Sequence, residues 1–435
     1  MKALLINFFI FACAATVLAQ DDVYPAPKQT GTTVITNATV HVGNGQVLEN
    51  ASVVITNGKI AAVGSNVTPP AGATTINAQG KQVYPGLILS ATNLGLVEVP
   101  SVRATNDVQE LGELNPNVRS IVAYNTDSKI INVLRSNGIL LANIVPEGGV
   151  ISGASSVVQL DAWNWEDAAY KTDAGIHFRM PALIARPRLT AAAQATPQPD
   201  PVKAGLEQVD RMKSFFREAA AYNSTPEHDI QNLKFTAVKG LFDKSKKLYV
   251  HANTVKQMLV ALDFVKEFNF DVVIVGGSDS WQIADLLKQN NVSVILNQPH
   301  NLPTLPDDDV DQPYKTAAQL QKAGVLFAIT DDDGQTRGRN LSFNAGTAAT
   351  YGLTKEQALQ AITLNAANII GVGDKAGSIE AGKDANIIIS NGDILDIRTN
   401  NITDAFIQGR KIDLNNKQKQ LNERYNKKYN ITTPF

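Results

Sequence analysis

The chain has 435 residues, 44% of them apolar, which is enough for one large α/β domain with a small satellite and far from the make-up of a disordered chain. Its 39 lysines and arginines against 41 acidic residues leave a formal charge of -2, so no global basic field exists to hold nucleic acid or anionic lipid. A nucleic-acid role is excluded.

The chain opens with Met1-Lys2, an apolar run from Ala3 to Leu18, and then Ala19-Gln20-Asp21-Asp22. These are the charged, apolar and small-residue sections of a secretory signal peptide, predicted over 1–19 with cleavage after Ala19, which makes the mature chain periplasmic or secreted. No later segment has the apolar length of a membrane span. The single cysteine, Cys13, lies in the leader, and a mature chain without thiols suits an oxidising compartment. A lipid-anchored form would need Ile10-Phe11-Ala12-Cys13 as its attachment box, which Phe11 fits poorly.

From Thr32 to Ile76, short β-branched runs alternate with turn signals: Thr33–Thr36, Val40–Val42, Val53–Thr56 and Ile60–Val63, with Asn57-Gly58 as a hairpin turn. The same character returns at Ala385–Ser390 and Ala405–Ile412, so residues 30–83 and 377–413 are expected to form one composite β-sandwich domain. Between them, 84–376 read as alternating strands and helices. Strand-like runs at Leu248–His251, Val272–Val275, Val292–Leu296 and Val325–Ile329 are separated by helical patterns. After Thr254, Val255, Met258, Leu259, Leu262 and Val265 share one apolar face, and Thr354-Lys-Glu-Gln357 has capping-box spacing. Such repeats predict parallel strands with right-handed crossovers, and at this length a (β/α)8 TIM-type barrel, with an open doubly wound sheet as the alternative. The proline- and alanine-rich stretch 187–201 reads as a loop over or beside the barrel, and 414–435 as a polar tail.

Several motifs are informative by what they lack. Asp331-Asp332-Asp333-Gly334 does not have the alternating ligand spacing of an EF-hand and reads as a turn. Ser90, Thr92 and Ser280 sit in no nucleophile elbow, and no Walker-type loop is present.

Pro85-Gly86-Leu-Ile, Val250-His251-Ala252, Ala323-Gly324-Val325 leading to Thr330-Asp331-Asp332, Ala358 to Ala367 and Gly371 to Ala385 occur in the order and spacing of the amidohydrolase superfamily. The chain resembles in particular its imidazolonepropionase-like branch. The resemblance implies hydrolysis of carbon–nitrogen bonds other than ordinary peptide bonds, by a divalent metal, zinc in the family, at the C-terminal mouth of the barrel. It also implies a ligand set of His-x-His on the first strand, a histidine ending each of strands five and six, and an aspartate ending strand eight that moves the proton. In this chain the first pair falls on Ala91 and Asn93, strand six has Gly276, and only His251 on strand five remains, so the metal site is predicted to be degenerate. The strand-eight aspartate is Asp332 in a gapless reading, with Asp331 as the alternative.

A rebuilt site for a harder cation would have to draw on loop groups: Glu98, Asp107, Glu110, Glu113, His300 and Asp307 to Asp309. Of these, Glu98 and His300 are the candidate pocket residues. Arg119, Arg186 and Arg188 are candidate partners for such carboxylates, and His41, His177 and His228 lie in segments the family does not use for metal. The expected ligand is a small molecule, and the site holds either a divalent metal or none. The expected macromolecular partner is a second copy of the chain or an active amidohydrolase paralogue. A pseudoenzyme that binds a small ligand is the rival to an active hydrolase.

Overall fold

The structure, a computed structural model, describes residues 24–184, 200–225, 229–305, 307–331 and 337–431. The leader with Cys13, and Arg186, Arg188, His228, Asp332 and Asp333, lie outside the described residues.

Strands β1 (Thr32–His41), β2 (Val47–Thr56), β3 (Lys59–Gly64), β4 (Thr74–Asn77) and β5 (Gln82–Pro85) come first. The two runs at Thr33–Thr36 and Val40–Val42 belong to the single strand β1, and the break between them is a bulge. Its register to β2 shifts between Ile35 and Val40, with Asn37 at φ 60°. Asn57 (φ 52°) and Gly58 (φ 78°) both adopt left-handed backbone, as the two-residue β2–β3 turn requires.

The barrel follows in chain order: β6 (Leu87–Thr92), β7 (Ile139–Ile144), β8 (Ile151–Gln159), β9 (Ala169–Arg179), β10 (Lys247–Ala252), β11 (Val272–Gly276), β12 (Ser293–Leu296) and β13 (Phe327–Ile329). Neighbours are parallel except at β8, which runs antiparallel to both β7 and β9. The third place is therefore reached through the 145–150 connection rather than a crossover helix, a departure from strict (β/α)8 alternation. Alternation along each strand sorts the side chains. On β10, Leu248 and Val250 face the helix layer while Tyr249 and His251 point inward. Inside, Ile88, Leu141, Tyr249, Val273, Ile295 and Ala328 pack together, and Ala366, Ile369 and Ile370 of the helix Leu364–Ile370 plug the end opposite the mouth. The interior is thus filled at one end and open only at the strand C-termini.

The helix Val255–Phe268 starts on a capping box between Thr254 and Gln257 and buries Met258, Ala261, Leu262 and Phe264. Leu259, expected on the buried face, is 43% exposed, because the helix turns Phe264 and Ala261 inward instead. Thr354 and Gln357 form the predicted capping box of the helix Lys355–Ala361.

After the barrel, β14 (Ile387–Ser390), β15 (Ile402–Ile407) and β16 (Arg410–Lys411) return to the first strands. β14 pairs antiparallel with β5, giving a separate sheet in the order β16-β15-β14-β5-β1-β2-β3, with β4 beside β1. Its core is Ile35, Val53, Ile55, Ile387, Ile389 and Phe406. This sheet is pinned to the barrel by a buried ionic cluster. Asp161 takes Arg135 from the helix Lys129–Ser136, Arg410 of β16 at 2.9 Å, and the backbone N–H of Ala26 at 2.8 Å. The terminal helix Lys417–Tyr429 buries no residue. Among the described residues no helix is long and apolar enough to cross a membrane.

Candidate functional site

The strand C-termini converge on a cavity of about 320 Å³ whose wall includes Asn93, Glu147, Arg179, His251, Asn253 and Gly276. Two rungs of β9 and β10 organise it. His177 is in register with Tyr249, and one rung higher Arg179 is in register with His251. The His177 ring stacks on Tyr249 at 4.7 Å, and its Nδ1 lies 2.9 Å from Nε2 of His251. Burial pushes the His251 pKa down to about 3, with the Arg179 charge assisting. His177 is held well below the usual histidine range by burial, then by His251 and Arg179. The pair is therefore neutral at physiological pH and shares a single N–H between the facing nitrogens. Only Nδ1 of His251 remains for anything in the cavity.

The charged groups of the cavity do not neutralise each other. Nε of Arg179 is buried without a hydrogen-bond partner, and no carboxylate among the described residues pairs with its guanidinium. Glu147 accepts instead from Nδ2 of Asn93 at 3.1 Å. Ala91 is tied through its backbone to the Thr330 hydroxyl, which accepts its N–H (3.2 Å) and donates to its carbonyl (3.1 Å). Gly276, in register with Ala252 and Leu296, sits at φ +101°, where a Cβ would meet Oδ1 of Asn253 at 2.3 Å.

The structure brings Ala91, Asn93, His251 and Gly276 to one cavity. Asp331 is buried, with Oδ2 3.4 Å from Nδ2 of Asn344 and Oδ1 4.0 Å from Nε of Arg337. Glu98 and His300 do not line this cavity. Glu98 accepts from Asn125, while the exposed His300 lies 3.4 Å from the Thr347 hydroxyl and against the Tyr314 ring. Asp107, Glu110, Glu113, Asp307 and Asp309 are exposed on loops, and Asp309 pairs with Lys315. Arg119 pairs with Asp173. The hydroxyls of Ser90 and Ser280 are buried without partners, and that of Thr92 accepts the Leu94 N–H. Sequence reasoning missed His177, Arg179, Glu147 and Asn253. The alternation in Gly175-Ile-His177-Phe-Arg179 marks a strand presenting both polar residues to one face, and was the available signal.

An eight-stranded α/β barrel with its cavity at the strand C-termini, joined to a sheet made from both ends of the chain, is an architecture that barrel hydrolases use. Residues 227–412 match the sequence profile of the amidohydrolase family. Imidazolonepropionase of Thermoplasma volcanium is 24% identical over 363 residues, spanning 79% of this chain and 84% of that protein. Imidazolonepropionase of Flavobacterium johnsoniae is 38% identical over 81 residues, 18% of this chain and 20% of that one. Among solved structures, an amidohydrolase from Thermotoga maritima superposes with a TM-score of 0.76 at 24% identity, covering 88% of this chain and 99% of the other. The chain is thus similar to the amidohydrolase family over residues 227–412, and to an imidazolonepropionase over most of its length.

Family members are typically dependent on a divalent metal, and a structural neighbour, an adenosine deaminase from Xanthomonas campestris (18% identity, TM-score 0.52, covering 94% of this chain and 100% of that one), carries zinc. The described residues do not fit such a centre. No group of three or more His, Cys, Asp or Glu among them converges to hold a metal ion, and the one mouth imidazole has Nε2 committed to His177. Arg179 adds a positive charge to the wall where a cation would have to lie.

Proposed function

We propose that this is an exported amidohydrolase-superfamily protein whose barrel mouth takes a small molecule of the carbon–nitrogen class its relatives act on, with impaired metal binding and correspondingly weakened hydrolysis. The observation that carries this reading is the make-up of the mouth cavity. It opens at the strand C-termini with a volume suited to a small ligand, and its wall includes Ala91, Asn93 and Gly276, the positions to which the family resemblance assigns metal-binding imidazoles. In this reading His251 is the remaining imidazole of the site, and Asp331 or Asp332 is the carboxylate that would move a proton in residual turnover. Export rests on the leader pattern of residues 1–19.

A second reading, a pseudoenzyme that binds its ligand without turnover or partners an active paralogue, is favoured by Arg179, a cation in the cavity wall that pairs with no carboxylate among the described residues and suits a ligand's charge rather than a metal's neighbourhood. Elemental analysis of mature protein purified without chelator tests the impaired site. Well below one zinc per chain is expected, because one histidine and one aspartate leave most of the coordination shell to water. Stoichiometric zinc would return the chain to ordinary metal-dependent hydrolysis.

A further inference from the structure

The terminal helix Lys417–Tyr429 is fixed at its base and unsupported along its length. Buried Asn416 caps it by accepting the Lys419 N–H at 2.9 Å, and its Nδ2 donates at 2.8 Å to the Ser136 hydroxyl, at the end of the helix Lys129–Ser136. Beyond that anchor no residue of the helix is buried. A helix this short is marginal in water unless it lays a face against something, and the described chain offers it none.

Its side chains are sorted by chemistry. Lys417, Lys419, Arg424, Lys427 and Lys428 stand against one acid, Glu423, so the helix carries a net +4 on a chain whose total is -2. None of these five pairs with a carboxylate among the described residues. Leu421, Tyr425 and Tyr429, spaced four apart, share one face. Tyr425 and Tyr429 are 49% and 61% exposed with their rings 6.3 Å apart, and Ile431, past the left-handed cap at Asn430, is exposed as well. The Lys428 ammonium lies 5.1 Å from the Tyr429 ring, at the border of the apolar strip.

A near-neutral chain has no global basic field, yet this helix is a local one. An apolar and aromatic strip bordered by lysines matches the layers of an anionic bilayer surface. Tyrosine rings sit at headgroup depth with the hydroxyl wet, lysine stems lie along the acyl boundary, and ammonium groups reach the phosphates. The same helix of a second copy would bring like charge and repel. A protein partner would meet a few apolar side chains spaced along a rod rather than the packed apolar core that an interface needs.

We infer that the helix Lys417–Tyr429 is a peripheral anchor that lies in the surface of an anionic phospholipid bilayer, with Leu421, Tyr425 and Tyr429 turned inward and the basic residues among the headgroups. The rod is about 20 Å long and held at one end by Asn416, so it tethers the barrel to a membrane without spanning it. The inference stands apart from the proposed function, since it holds whatever the barrel mouth binds.

Co-sedimentation with vesicles tests it, using the mature chain, which lacks Cys13 and so carries no lipid of its own. Vesicles of phosphatidylcholine mixed with phosphatidylglycerol should capture the protein, and vesicles of phosphatidylcholine alone should not. Deleting residues 417–435 should abolish capture and keep the wild-type melting curve, because the helix buries nothing. Each basic residue near an anionic surface is worth roughly fivefold in partitioning, so Lys427→Gln with Lys428→Gln should weaken capture roughly twenty-fold. Tyr425→Ser with Tyr429→Ser leaves the charge unchanged and should weaken it several-fold. Equal capture by both vesicle types, or capture retained by the deletion, would overturn the anchor. A double tyrosine variant that binds like wild type would overturn the seat of the helix in the bilayer surface. Retention on heparin without capture by either vesicle would overturn the lipid assignment in favour of a soluble polyanion.

Discussion

Placing a histidine at Gly276 is the obvious way to restore the strand-six ligand, and the backbone predicts that it fails. At φ +101° a residue with a Cβ carries left-handed strain of about 1–3 kcal/mol. Its Cβ would also stand 2.3 Å from Oδ1 of Asn253, forcing that side chain to move. Moving Asn253 breaks its 3.2 Å hydrogen bond from the Ser278 hydroxyl, a further loss of about 1 kcal/mol. Gly276→His should therefore cost about 2–4 kcal/mol of folding stability, with most of the loss already present in Gly276→Ala, because the Cβ and not the imidazole is the offending group. Urea unfolding followed by tryptophan fluorescence gives the stabilities, and elemental analysis after equilibration with one equivalent of zinc gives occupancy. The alanine and histidine variants should be destabilised alike, with no gain of zinc in the latter. A Gly276→His protein that unfolds at the wild-type urea concentration would refute the strain argument. One that also takes up zinc would show that strand six can still serve as a ligand strand.

Ala91→His combined with Asn93→His should raise zinc occupancy over the unmodified chain in the same assay, since both positions line the cavity with His251; no gain would mean that they do not face a common point. Asp161→Ala should cost about 3–5 kcal/mol in urea unfolding, as it strands the buried guanidiniums of Arg135 and Arg410. Arg410→Met, which leaves a neutral Arg135–Asp161 pair, should cost clearly less, and the reverse order would contradict a charge origin. His41 is pulled down by burial but raised overall by its hydrogen bonds to Glu356 (2.6 Å) and Gln82 and by the charges of Glu356 and Asp393. A raised pKa means stability that is complete below the unfolded value of 6.5 and is lost as pH rises through the folded value. His41→Gln should thus be more destabilising at about pH 5.5 than at about pH 8.5, and a pH-independent difference would dismiss the linkage. N-terminal sequencing of the exported protein should begin at or near Gln20, and an intact Met1 on the folded product would contradict the leader.

The strands that sequence reasoning found in the barrel's second half are uninterrupted β-branched runs, such as Val272–Val275, because parallel strands buried on both faces need no alternation to advertise them. β8 and β9 escaped for the opposite reason. Ile151–Gln159 is rich in serine and glycine, yet it is buried along its whole length, so its composition disguised a core strand. Missing β9 meant missing Arg179 and the partner of His251. Pairing between strands is not written in either strand alone, and the 2.9 Å contact between His177 and His251 arises only from the β9–β10 register. The positions of Ala91, Asn93 and Gly276 were readable because the flanking motifs fix them in the chain, but the glycine's backbone angle, which makes its substitution structural, was not.

The barrel wall is not a uniform hoop. β6 and β13 are the two ends of the sheet order, and the Thr330 hydroxyl spans from β13 to both backbone groups of Ala91. Parting this stave from its neighbour breaks the two Thr330 contacts, whereas parting any other adjacent pair breaks a backbone ladder, so this seam is the joint of the wall with the least strand-to-strand hydrogen bonding. Asp331 follows Thr330 directly, and Asn93 lies two residues beyond Ala91. An opening at this slit would swing a buried carboxylate and a cavity amide apart together, leaving the His177–His251 side of the wall at rest.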